Sequence, residues 1–463
     1  MTQLKIFLIS LAVFFIPFII PGFRNVNSLI IQSEDTVPSI FTTISIIKDQ
    51  TLYLDKYYVM MRDRYPHPDD KDFQKDLTPF YLRKIDGHYI TAFPIVTSII
   101  SIPVFILPVI FNMPLTWDNL ALLGHLSGAL IMALAGLFMF KTLREGFDLE
   151  EKKSKILTAV FLFATVNFAM LSQAMWQHGT LQLLSILGIY FFLKHQKNPN
   201  AYINMLFSGL FFGFAFLSRP TAGLPILLIE LYLIFTNLHK IDNLFKSATT
   251  FTSGLFIAAS FFFWYNSVFY YDIQNQGYSD QLFGSWLSPF PVSFLGVWLS
   301  PSKGILIFSP VFIFSIYGLY LAVKNKIDKA GLYKIFAVII LLHTLVISLW
   351  KHWYGGWSFG YRMSGDVLPY FIFLMIPYIN SVYFEKTKKL FFVLFGLSVF
   401  IEIYGLLFFD GIWHAAYDLG FENTSWLWSI KDSQFLFDIR RVLVKLGLMA
   451  SACPKCSKVK NTT

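Results

Sequence analysis

Apolar residues in this chain do not alternate with polar ones; they run on. Stretches of mainly apolar residues lie at about 5–21, 119–140, 156–171, 180–193, 203–217, 222–236, 248–270, 304–323, 335–350, 367–383 and 390–409. A helix that crosses a membrane needs about 20 mainly apolar residues to span the hydrocarbon. The pattern therefore predicts an all-α polytopic membrane protein with about eleven transmembrane helices. The first run, Lys5 to Pro21, has no small-residue cleavage site after it and reads as a retained anchor. A further apolar stretch, Ala92 to Phe111, contains Pro94, Pro103 and Pro108. Proline removes a helical hydrogen bond and crowds the preceding turn, so this stretch suits a broken or surface-lying helix better than a clean crossing.

Composition narrows the class. Charged residues make up 14% of the 463 residues and apolar ones 55%, whereas a soluble domain carries about 25% charged residues. So few charges cannot cover a water-facing surface, which excludes disordered, secreted-scaffold and soluble-enzyme classes. The excess of 37 Lys and Arg over 28 Asp and Glu reads as cytoplasmic loop enrichment, not as a nucleic-acid footprint. The two cysteines, Cys453 and Cys456, form a single CxxC, too little for a zinc site or a disulfide framework, and read as incidental.

Loop charge sets the orientation. With the N-terminus cytoplasmic and 92–111 lying on the surface, the short inner loops hold 16 basic residues and the short outer loops four: Arg219, Lys303, Lys351 and Arg362. Letting 92–111 cross would invert that ratio, so the positive-inside rule favours an interfacial 92–111 and a long outer loop over 22–117. That loop is exempt from the rule because long loops translocate regardless of charge. The tail after residue 409 falls outside despite Lys431, Arg440, Arg441 and Lys445. There Leu436, Ile439, Leu443 and Leu446 recur at helical spacing, which predicts an amphipathic interfacial helix. The expected division is a membrane domain over 1–409 and a tail over 410–463.

Polar groups at the outer face carry the candidate chemistry. Ser33-Glu34-Asp35-Thr36 opens the long loop. Its carboxylates would either cap the helix that follows or supply a general base at the lipid–water boundary. Arg83-Lys84-Ile85-Asp86-Gly87-His88-Tyr89 precedes the interfacial stretch, and its cations would hold a lipid phosphate or simply attract headgroups. Acidic His67-Pro68-Asp69-Asp70-Lys71-Asp72 reads as a solvated turn. The shorter outer loops keep His178, Arg219, Lys303, His352 and Arg362. A cation in nearly every outer turn, where the rule depletes them, points to an anionic ligand, and phosphate is the natural one. Glu230, Glu402 and His125 lie inside apolar runs and read as polar contacts between helices.

These motifs, in this order, resemble the GT-C superfamily of membrane glycosyltransferases, of the protein-mannosyltransferase and aminoarabinose-transferase type. The matching segments are Ser33-Glu34-Asp35-Thr36, Tyr89-Ile90-Thr91-Ala92-Phe93-Pro94, Trp176-Gln177-His178-Gly179, Ser218-Arg219-Pro220-Thr221, Ser309-Pro310 and Trp353-Tyr354-Gly355-Gly356-Trp357. The resemblance implies a polyprenyl-phosphate sugar donor and transfer at the outer face of a plasma (inner) membrane. The acceptor is left open among glycan, lipid and protein. It puts Asp35 in the place of the acidic catalytic residue, with Glu34 as the fallback. Arg83, Lys84, Arg219 and Arg362 are then expected to bind the donor phosphate, with His88, His178, Lys303 and His352 as further site residues. Metal-dependent relatives carry more acidic residues in the second outer loop, and 172–179 has none. No metal or other cofactor is therefore expected, and membrane lipids are the only other partners. The competing class is a lipid-linked sugar flippase or other secondary transporter, which would show an internal repeat and midplane ionisable groups.

Overall fold

The computed structural model describes residues 2–19, 33–237, 241–271, 286, 288–327 and 329–453. Cys456 and the tail lysines Lys455, Lys458 and Lys460 lie outside the described residues, as does Lys240 of the inner-loop basic set. Helices dominate, and the strands among the described residues form one two-stranded hairpin. Among the described residues five helices are long and apolar enough to cross a membrane: Thr2–Ile19, Trp117–Gly146, Ile241–Tyr270, Gly331–Leu349 and Val382–Phe408. Of the other expected crossings, 180–193 lies within one 21-residue helix, Gln177–Lys197, and the rest are shorter or interrupted. Pro310 divides 304–323 into Ile305–Phe308, a tight turn and Ile313–Lys324, and 367–383 falls into Leu368–Leu374 and Ile376–Ile379. The chain is an all-α, multi-pass membrane protein.

The chain divides into two compact units. The first holds Met1–Ile19, Ile31–Ser154 and Leu171–Ser285. Its helices pack through small residues. Ile203–Ser218 lies against Ile241–Tyr265, where a Cβ on Gly209 would sit 1.9 Å from the Phe251 carbonyl oxygen and one on Gly254 2.2 Å from that of Leu206. One turn along, Gly213 faces Ala258. Lipid gives no hydrophobic drive for helices to associate, so close backbone approach of this kind supplies the contact. The first helix is tied to Trp117–Lys141 by His125, whose Nε2 lies 2.9 Å from the Phe14 carbonyl oxygen. His125 is thus the interhelical polar contact expected.

The long segment between the first helix and Trp117 belongs to the same unit and is structured over its described residues. Val37–Lys48 is buried from Val37 to Ser45 and lies against Val96–Ile110. Ser98 Oγ donates to the Ser39 carbonyl at 3.0 Å, and Thr43 Oγ1 donates to that of Ser98 at 3.1 Å. Val96–Ile110 runs on as one helix through Pro103 and Pro108 rather than breaking. Its 15 residues rise about 22 Å, short of the ~30 Å hydrocarbon. Leu82–Ile85 (β1) and His88–Thr91 (β2) pair antiparallel. Asp86 and Gly87 close the hairpin with φ of +51° and +85°, the left-handed pair that a two-residue turn requires. Asp70, expected in a solvated turn, is instead buried and accepts the amides of Lys75 (2.8 Å) and Leu77 (2.9 Å). Those bonds explain why its carboxyl sits below the usual range.

The second unit holds Lys155–Met170 and Trp286–Thr463. Gly318 brings its helix onto the Leu374 carbonyl, 1.9 Å from where a Cβ would stand. Ser315 Oγ donates to Phe371 O at 2.8 Å, and Phe314 stacks on Tyr378. Glu402 is buried in Val382–Phe408 with the Ala169 amide as its partner and Oε2 unpaired.

A side chain at Gly209 or Gly254 would push against backbone. Gly209→Val should cost about 1–3 kcal/mol and lower the thermal unfolding midpoint in detergent. Gly396→Ala, with nothing within 4 Å of its Cβ, should leave that midpoint where it is.

Candidate active site

The acidic motif sits in a tight turn. Ser33 accepts the Thr36 and Val37 amides at 2.9 and 3.1 Å through its main-chain oxygen, and Thr36 Oγ1 accepts the Ser33 amide at 3.0 Å. The helix that follows begins at Val37, and its cap residue, Thr36, makes no side-chain bond to it. Glu34 and Asp35 therefore precede the helix without taking the cap position, and both are half-buried. Burial, then the Asp35 charge beside it, pushes the Glu34 carboxyl up from 4.5 to about 7. Tyr65 and Tyr81 form part of its surroundings, since the Glu34 charge acts on both phenols. Tyr81 is locked in place, donating to the main-chain oxygens of Met61 (3.1 Å) and Tyr65 (2.7 Å).

The hairpin separates two residues that the sequence placed together. Arg83 and Lys84 are neighbours in β1, and successive strand residues face opposite sides. Lys84 is exposed, 3.9 Å from Asp76 and over the Tyr89 ring. Arg83 is half-buried, and its charge acts on the Tyr270 hydroxyl, which donates to the Thr91 carbonyl. His88 is exposed, with Nδ1 2.7 Å from Asp55 and its ring stacked on Tyr53.

Beside the hairpin lies a shallow apolar groove. Its walls are Ala92 to Val96, Leu217, Phe261, Phe262, Tyr265 and Tyr270. The Pro94 motif thus lines a cavity, and Leu217 places the half-buried Arg219 two residues further along the chain. His178 is buried at the first turn of Gln177–Lys197.

In the second unit, basic residues gather on Lys303. Its side chain is fully buried. Nζ donates to the main-chain oxygens of Ser358 (2.6 Å) and Gly356 (3.3 Å) and lies over the Trp413 ring. Burial, then the Arg362 cation nearby, holds the Lys303 ammonium well below the usual lysine range, opposed by Asp418 and Asp438. His414 is buried and held well below the usual histidine range by burial and by Lys303, with Arg362 adding to the effect and the Gly356 main chain opposing it. Asp438 is pushed well above the carboxylate range by burial and Asp410, against the pull of Arg441 and Lys303. His352 packs between Trp350 and Phe421, and burial followed by the Lys351 charge lowers it.

His414, Gln434 and Asp438 come from the tail and were not among the expected site residues. The tail helix, Gln434–Lys445, is amphipathic as expected, yet its buried side carries Gln434, Phe437 and Asp438. The signal available was Gln434 and Asp438, one helical turn apart on one face, with Arg441 one turn further along that face. Among the described residues no group of three or more His, Cys, Asp and Glu is placed to hold a metal ion.

Multi-pass helical architecture defines the class as a polytopic membrane protein. Residues 120–265 match the family described as dolichyl-phosphate-mannose-protein mannosyltransferase, the GT-C type that the sequence motifs resemble. No curated protein matches the chain. Among solved structures, the apo crystal structure of the Archaeoglobus fulgidus oligosaccharyltransferase is similar at 12% identity and a TM-score of 0.44. The alignment covers 100% of this chain and 61% of that one.

Glu34 offers a test of its surroundings. Its folded-state pKa of about 7 exceeds the ordinary 4.5, so the fold favours the neutral carboxyl. That contribution is complete below pH 4.5 and is lost as pH rises through 7. Glu34→Gln, which stays neutral, should match the wild type in thermal stability at pH 4 and exceed it above pH 7.

Proposed function

We propose that this protein is a membrane glycosyltransferase that moves a sugar from a polyprenyl-phosphate donor to an acceptor at the outer face of the membrane. The observation that carries the reading is the apolar groove of the first unit. It suits an isoprenoid chain, and two cations attend it: Arg83 through the groove-lining Tyr270, and Arg219 two residues beyond Leu217. An apolar trough with a few fixed polar groups is the general form of a site for such an amphiphile. The matched family's name, which pairs a polyprenyl phosphate sugar with a transferase, supports the same donor class.

In this mechanism Asp35 accepts the proton of the acceptor hydroxyl. The oxygen attacks the anomeric carbon as the bond from that carbon to the phosphate oxygen breaks. The polyprenyl phosphate leaves with the bonding electrons, its added charge stabilised by Arg83 and Arg219. Arg362, in the second unit, is assigned a phosphate-binding role of its own. Glu34, titrating near neutrality, is the fallback base.

A lipid-linked sugar flippase is the second reading, and the buried, half-paired carboxyl of Glu402 favours it. Proteoliposomes loaded with labelled donor separate the two, since a flippase moves the donor without breaking it.

Purified protein incubated with a panel of radiolabelled polyprenyl-phosphate sugars should release or transfer one of them. Asp35→Asn should cut that rate by a factor of about 100 or more while membrane insertion stays normal. Near-normal transfer in Asp35→Asn, with loss in Glu34→Gln, would move the base to Glu34.

A further inference from the structure

Residues 355–360 form a strap whose backbone no regular element satisfies. Gly355, Gly356 and Gly360 take φ of +80°, +64° and +57°, the region only glycine enters freely. Left to itself, such a segment would be mobile. Here two buried side chains hold it from opposite parts of the sequence. Lys303 donates to the Gly356 and Ser358 carbonyls. Gln434 donates to the same Ser358 carbonyl at 3.1 Å and accepts the Gly360 amide at 3.1 Å. Both clamping residues are 0% exposed. Burying an amine and an amide where Met and Leu would fill the space costs free energy unless the bonds they make are needed.

What the strap carries is Arg362. Its Nη2 lies 3.7 Å from where a Cβ of Gly356 would stand, and its Cγ 3.6 Å from that of Gly355. The guanidinium therefore rests on the strap, and a shift of the strap moves the cation. A one-ångström error in placing a charged group is enough to degrade a site.

We propose that Lys303 and Gln434 are positioning residues that clamp the 355–360 strap and so aim Arg362 at a lipid-linked phosphate. The C-terminal tail is then a working part of the protein. This rests on the reading of Arg362 as a phosphate-binding cation. Lys303 needs no charge for the task, because a neutral amine also donates to carbonyls.

The test uses the full-length protein in nanodiscs with a fluorescent short-chain polyprenyl phosphate as the probe. Gln434→Leu should speed hydrogen exchange at 355–360 while exchange in the membrane helices stays unchanged. It should weaken probe binding about ten-fold, the worth of one or two net hydrogen bonds. Arg362→Ala should weaken binding at least as much, and the double variant should bind no worse than Arg362→Ala alone, as two changes acting through one group do. Unchanged strap exchange overturns the clamp. A loosened strap with wild-type binding, or a lower melting point alone, shows a merely structural role and overturns it as well. Wild-type binding by Arg362→Ala removes the phosphate reading of that residue, and the aim proposed for the clamp falls with it; strap exchange in Gln434→Leu still reports the clamp separately. Should Gln434→Leu fail to fold, Gln434→Glu replaces it, keeping the acceptor for Gly360 and losing the donor to Ser358.

Discussion

In a bilayer, every main-chain amide and carbonyl must find its partner within the protein, so segments facing lipid are helical and irregular backbone is confined to buried or watery places. The rest of this molecule follows from that constraint. The crossings are helices held together by small residues, as at Gly209 and Gly254. At several points where the chain leaves a helix, a buried side chain takes up the exposed backbone groups. Thr36 does so for Ser33, Tyr81 for Met61 and Tyr65, and Lys303 and Gln434 for the glycine strap.

The same constraint explains where functional groups can stand. A charged side chain in hydrocarbon is costly, and a half-buried one keeps both water and protein within reach. Glu34, Asp35, Arg83 and Arg219 are all half-buried, neither sealed nor free. Half-burial also gives Glu34 its near-neutral titration, whereas the exposed Lys84 is left to a loose pairing with Asp76.

Much was legible in the chain itself. Apolar run lengths marked the helices. Intramembrane His125 proved to be a contact between helices. Other features were hidden because they depend on groups far apart in sequence. Asp70 resembled its acidic neighbours and differs only in receiving two amides from residues further on. Arg83 and Lys84 were read as a pair, and strand geometry parted them.

The sequence by itself determined the class: too few charges for a water-soluble surface, apolar runs of crossing length, and carboxylates and cations retained between them. Those properties are local and additive along a chain. Only the tertiary structure decided that the Pro94 motif lines a groove and that Glu34 and Asp35 stand off the helix cap. It also decided that Gln434 and Lys303, 131 positions apart, share one carbonyl. Such facts follow from which backbone groups are left without partners after the helices have packed, and no run of residues records that.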